Sequence, residues 1–256
     1  MTLLQRVLDR NRLIVLTGLA GACLLAWAWI VPMAQDMYGS MSGPAAWMMT
    51  PFWDASHVAL LFAMWTVMMT GMMLPSAAPT VLLYAAIVRH TQEAIASARA
   101  YAFAAGYLVV WTMFAAGAVV IQRVLTSQLI LSPMMELSNR RASSAVLALA
   151  GLYQVTPFKR ACLSVCRSPA AFVATHWRDG AAGALRMGIA HGLYCLGCCW
   201  ALMLLLFAGG VMHLPTIALL SVFVLVEKIL PLGQHTLRFT WVTGIALFAL
   251  GLWQLR

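Results

Sequence analysis

The run His191-Gly192-Leu193-Tyr194-Cys195-Leu196-Gly197-Cys198-Cys199-Trp200 sets one imidazole and three thiols in a stretch otherwise apolar enough to cross a membrane. Hydrocarbon solvates such polarisable ligands poorly, so four together point to something they bind. Offsets of four, seven and eight residues put all four on one helical face. A lone Cys in a helix is only a small, easily buried hydrophobe. Three on one stripe with a His read as a metal site. Adjacent Cys198 and Cys199 diverge by about 100° around a helix, which predicts a site shared with other donors rather than one ion held by these four.

Cys162 and Cys166 supply such donors. In Lys159-Arg160-Ala161-Cys162-Leu163-Ser164-Val165-Cys166-Arg167 their spacing puts both thiols on one face, and Lys159, Arg160 and Arg167 favour the thiolate that binds metal. Adjacent cysteines in a helix do not close a disulfide, and a reducing cytoplasm disfavours cross-pairing. Cys23 stands alone and reads as packing.

The 17 methionines form the second soft-donor signal. Met64, Met68 and Met72 recur every four residues, with Met69 and Met73 beside them, while Met33, Met37, Met41, Met48 and Met49 crowd a segment upstream. A thioether is a soft, neutral ligand for Cu(I), so such a ladder could pass the ion along a helix face. A methionine stripe is also flexible core filler. His57 is a candidate entry ligand at the outer end of the ladder. Pro75 and Pro79, at the opposite end, predict a kink or an unwound turn, whose freed carbonyls could coordinate an ion.

The elements that carry these groups follow from composition. The chain is 63% hydrophobic and 9% charged with mean hydropathy +0.87, where a soluble domain carries about a quarter charged residues. The apolar blocks are about 20 residues long, enough to cross a bilayer core of about 30 Å. The expectation is an all-α polytopic integral membrane protein, a bundle of about seven transmembrane helices near 13–31, 58–88, 101–121, 142–158, 187–209, 214–230 and 239–255. It forms a single transmembrane domain over 1–256, with an outer loop at about 32–56. A cytoplasmic interfacial segment at about 159–186 would place Phe172 and Trp177 among headgroups.

The net charge of +9 comes from basic residues set singly at the ends of apolar blocks, as topology signals are, and argues against nucleic-acid binding. Arg6, Arg10, Arg12, Arg89, Arg99, Lys159, Arg160, Arg167, Arg178, Lys228 and Arg238 gather on one side of the seven-span arrangement. That side is then cytoplasmic, with the N-terminus inside and the C-terminus outside. Arg123, Arg140, Arg141 and Arg256 weaken the asymmetry without reversing it. The first span is longer than a signal peptide's apolar core and reads as uncleaved. Glu227-Lys228, just before Pro231, reads as a pair snorkelling to the interface.

Other chemistries lack support. The chain has neither a phosphate loop nor a Ser–His–Asp pattern, so nothing specifies an enzyme. No haem-attachment motif occurs, although six histidines leave axial haem ligation open.

Two stretches carry a family resemblance: Tyr153-Gln154-Val155-Thr156-Pro157-Phe158-Lys159-Arg160-Ala161-Cys162 through Cys166-Arg167-Ser168-Pro169, and Gly192-Leu193-Tyr194-Cys195 through Trp200-Ala201-Leu202-Met203. They resemble a bacterial family of predicted metal-binding integral membrane proteins, catalogued as domain of unknown function 2182. Glu227-Lys228 and Met72-Met73-Leu74-Pro75 look similar too. The resemblance spans about residues 55–235. It implies a metal at the cysteines and brings no established activity.

The expected function is a bacterial inner-membrane protein that binds a soft metal, foremost Cu(I), for transport or delivery; Zn(II) also suits the donors. The candidate ligands are Cys162, Cys166, His191, Cys195, Cys198, Cys199, Met64, Met68 and Met72. The partners are the lipid bilayer, the metal ion and a membrane or metallochaperone protein. A membrane thiol–disulfide oxidoreductase would instead need outward-facing cysteines trapped in two redox states. A non-catalytic, metal-containing anchor or assembly subunit would co-purify with its complex.

Overall fold

Runs of Leu, Ala, Met and Val with few interior breakers form helices when backbone groups can be satisfied only within the segment. The computed structural model describes residues 3–39, 44–49, 53–91, 96–229 and 234–255. Met41, Leu230, Pro231 and Arg256 lie outside the described residues, as do the side chains of Arg6, Arg10, Arg12 and Arg89. The described chain is all-helical, with no strand and one isolated bridge, Leu131 to Leu137. Its long helices are α1 (Leu3–Met37), α3 (Ala55–Thr91), α4 (Ala96–Ser127) and α8 (Gly180–Met203). Between and after them lie α2 (Pro44–Met48), α5 (Arg140–Gln154), α6 (Pro157–Cys166), α7 (Pro169–His176), α9 (Leu205–Gly209), α10 (Leu214–Ile229) and α11 (Gln234–Gln254).

Four segments are long and apolar enough to cross a membrane: Leu13–Met37, Ala55–Val88, Ala96–Ser127 and Gly180–Gly209. The expected fourth span, 142–158, is interrupted. α5 has 15 residues and ends at Gln154, about 22 Å of helix against a hydrocarbon core of about 30 Å. Thr156 then caps a new helix by accepting from the Lys159 N–H, and Pro157 occupies its first turn, where a missing N–H costs nothing.

α3 stays helical through both prolines, so of the expected kink or unwound turn the unwinding does not occur. Pro75 cannot donate to Gly71, four residues earlier, and that carbonyl is satisfied from α1 instead. Trp27 Nε1–H donates to it at 3.2 Å, with the Cys23 thiol at 3.7 Å. Cys23 thus shares in tying α1 to α3. Trp27→Phe removes the main donor, and a buried carbonyl left unsatisfied costs about 1–3 kcal/mol. Thermal unfolding of the variant in detergent is expected to register a loss of that order.

α4 and α8 pack where neither carries a side chain. A Cβ on Gly106 would overlap the Leu185 carbonyl, one on Gly188 the Phe103 carbonyl, and one on Gly192 the Val110 side chain. Small residues at four-residue spacing let helix backbones meet this way. The approach brings Tyr107 of α4 against Cys195 of α8. Phe172, expected among headgroups, instead turns inward: it is 2% exposed and packed against Phe103 and His191, while Ala170, Ala171, Ala174 and Thr175 of α7 face outward. Trp177 is half-buried beside Tyr84.

Candidate metal centre

Cys195, Cys198 and Cys199 are buried in the C-terminal half of α8, and their sulfurs all lie within 4.8 Å of one another. Side chains of a helix lean back over the preceding turn. The Cys198 and Cys199 thiols both do so, donating to the Cys195 carbonyl at 3.1 and 2.7 Å. That shared lean cancels the angular divergence expected from sequence. Sulfurs of Cys195 and Cys199 are 3.9 Å apart, close enough for both to reach one ion at metal–thiolate bonds of about 2.3 Å.

Cys166, at the end of α6, adds a fourth thiol. It is in hydrogen-bonding contact with Cys195 and Cys198. Cys162 lies one turn earlier and faces another part of α8, with its sulfur against Gly197. Tyr153 of α5 donates to the Gly197 carbonyl, pinning α8 at the same level. Cys166 thus lies beside Cys195 and Cys198 but outside the group of three sulfurs, and Cys162 is set one turn away.

His191 does not join the three sulfurs. Its ring lies among Phe172, Tyr107 and Phe103, with centroids 5.0, 5.8 and 6.0 Å away. Its buried Nδ1 has no hydrogen-bond partner among the described residues. Met64, Met68 and Met72 are buried in the same contiguous core cluster as the five cysteines of α6 and α8. Met33, Met37 and Met48 belong to that cluster as well. His57 Nδ1 is bonded to the Trp47 carbonyl at 3.0 Å, and its ring packs on Trp53.

Glu227 and Lys228 correct the snorkelling expectation. Both are buried, 1% and 8% exposed, and they turn into the bundle in different directions. Glu227 accepts from Lys159 Nζ at 2.8 Å, and Lys159, read from sequence as a loop charge, is fully buried. Lys159 Nζ also donates to the Cys198 carbonyl at 2.9 Å. Lys228 Nζ donates to Cys195 Sγ and to Ser76 Oγ, both at 2.8 Å. Partners waiting on α3, α6 and α8 offset the desolvation that would otherwise drive these charges to water.

Tyr107 completes the shell. Its hydroxyl is 3.0 Å from Cys195 Sγ and donates to the Met73 carbonyl at 3.0 Å. Cys195 Sγ thus accepts from the Lys228 ammonium and has the Tyr107 hydroxyl and the Cys199 sulfur as neighbours. Sequence reasoning missed Tyr107, Ser76 and the inward turn of Lys159, Glu227 and Lys228. The one available signal was the presence of opposite charges in otherwise apolar helices, since intramembrane ionisable residues pair when they are retained.

The far end of α10 holds a separate polar group. Tyr38 donates to the Glu136 carboxylate at 2.6 Å and packs its ring on His213. Burial, and then Glu136, push the Tyr38 hydroxyl above the ordinary phenol range.

A buried three-thiol cluster is a soft-metal donor set, suited to Cu(I) before the harder divalent ions. Neither the curated proteins nor the solved structures contain a match to this chain. Over residues 62–254, which hold every cysteine of the cluster and the surrounding Ser76, Tyr107, Lys159, Glu227 and Lys228, the chain matches the PpoB2 copper chaperone family, and it belongs to that family.

Proposed function

We propose that the protein is a multi-pass membrane protein that takes up Cu(I) as cargo and delivers it. Cys195, Cys198 and Cys199 would form the holding site, with Cys166 as the exchanging ligand. The observation that carries this reading is the mutual approach of three buried sulfurs to within 4.8 Å. Structural Zn(II) asks for a closed tetrahedron; the sulfurs that all lie within 4.8 Å of one another are three, an arrangement better suited to the lower coordination that Cu(I) accepts.

In this reading Met64, Met68 and Met72 relay the ion between the methionine-rich end of the bundle and the thiols, while Cys162 and His191 stand next to the path as secondary ligands. The four long apolar helices and further helices of the 140–254 region form about seven spans in a bacterial inner membrane. The N-terminus is cytoplasmic and the C-terminus outside. Large apolar side chains on the outer surface, such as Leu24, Leu25, Val120, Leu219 and Trp253, suit contact with lipid. The partner is a protein that accepts or supplies the copper.

Protein purified anaerobically in detergent is expected to hold near-stoichiometric copper by elemental analysis. Replacing Cys195, Cys198 and Cys199 together with Ser is expected to lower it at least tenfold, in the ~10–100-fold range or beyond typical of damaged metal sites. Equal copper in the triple variant would refute the site. Reporter fusions at both termini check the topology.

A further inference from the structure

A cavity of about 230 Å³ adjoins the thiols, between the proline-bearing part of α3, the α6–α7 junction and the last turn of α10. Its wall includes Cys166, Lys228, Arg167, Ser76 and Thr80, and Pro79 and Pro169 contribute rigid backbone. No carboxylate is among the described lining residues. Glu227, which attracts Arg167 electrostatically, is bonded to Lys159 and does not line the cavity. The cavity therefore carries positive charge from two residues and exposes one thiol of the cluster, with hydroxyls between them. It is smaller than the ~300–1,000 Å³ typical of drug-sized sites, so it fits a compact molecule and excludes a folded domain.

Resting on the copper reading above, we propose that this cavity is the docking pocket for a low-molecular-weight, carboxylate-bearing thiol that carries Cu(I). Cys166 is the residue that exchanges with it. The carrier's carboxylate sits toward Arg167 and Lys228, and its copper-bound sulfur faces Cys166. In the transfer step the Cu(I)–sulfur bond to the carrier breaks and a Cu(I)–sulfur bond to Cys166 forms. The Cys166 thiol proton passes to the departing carrier thiolate, and copper stays Cu(I). Cys166 contacts Cys195 and Cys198, so the ion moves onward by the same kind of exchange. Release runs the steps in reverse. The pocket selects its carrier by charge, because a cleft lined with one sign of charge raises the on-rate of the opposite sign by ~10-fold or more.

The test loads metal-free detergent-solubilised protein with Cu(I) held by three thiols that differ in charge: 3-mercaptopropionate, 2-mercaptoethanol and cysteamine. Copper gained over time is read by rapid desalting and elemental analysis. Loading from the mercaptopropionate complex is expected to be about tenfold faster than from the cysteamine complex. In R167Q that ratio is expected to fall below about threefold. R141Q, which removes a charge from the start of α5, keeps it, so overall net charge is not the cause. Equal rates from all three complexes in the unmodified protein overturn the pocket while leaving the copper site standing. Failure to load from any of them overturns both.

Discussion

Glu227→Gln is expected to cost about 3–5 kcal/mol of folding stability, because it strands a buried ammonium. Lys159 is fully buried and Glu227 1% exposed, with 2.8 Å between Nζ and Oε2. A charge taken that far from water depends chiefly on its opposite charge, and removing one member leaves much of the other's desolvation uncompensated. Replacing both is a different matter. Lys159→Met with Glu227→Leu removes two desolvation penalties along with the attraction, and the double variant is expected to recover most of the single variant's loss. Chemical unfolding in detergent of the unmodified protein, Lys159→Met, Glu227→Leu and the double variant gives all four corners of the cycle. A single-variant loss below about 1 kcal/mol, the value of a solvated surface pair, would show that water reaches this pair. Copper retention separates structure from function, since Lys159 also donates to the Cys198 carbonyl. The double variant is expected to regain stability while holding copper less tightly, through a looser Cys198.

The charged residues mark the boundary of what the sequence could reveal. The cysteines of α8 announce themselves because one helix carries all of them, and helical spacing is a property of the chain alone. Helical class and the apolar spans follow from the same local patterning. Glu227 and Lys228 lie near the end of an apolar helix, where a charge turned out to water and one turned in to a partner have the same sequence. The choice depends on Ser76, Lys159 and Cys195, which arrive from three other helices. Tyr107 is equally silent. Nothing in its neighbourhood distinguishes it from any apolar-helix tyrosine until the glycines of α4 and α8 bring it within 3.0 Å of a sulfur. The convergence of Cys198 and Cys199 is hidden for a related reason: spacing gives only angular position around the axis, whereas the Cys195 carbonyl decides the direction in which each thiol leans.

Those glycines carry the second large effect. Gly188→Val is expected to remove at least about 3 kcal/mol, the upper range for overpacking, because the added Cβ would collide with the Phe103 carbonyl and lie 3.0 Å from the Tyr107 nitrogen. Backbone, unlike a flexible side chain, cannot step aside, so α4 and α8 must separate. Separation withdraws Tyr107 from Cys195 and opens the aromatic surround of His191, which takes Phe103 and Tyr107 from α4. Copper content is therefore expected to fall together with stability. Gly117 of α4 supplies the control: a Cβ there meets nothing within 4 Å, and Gly117→Ala is expected to be neutral or to stabilise by up to about 1 kcal/mol through helix propensity. Unfolding in detergent and elemental analysis on both variants give the comparison. If Gly188→Val matches Gly117→Ala in both, the close approach of α4 to α8 does not hold the thiol site in place. If Gly188→Val loses stability but keeps its copper, the three thiols of α8 bind without the Tyr107 contact, and α8 alone sets the geometry of the site.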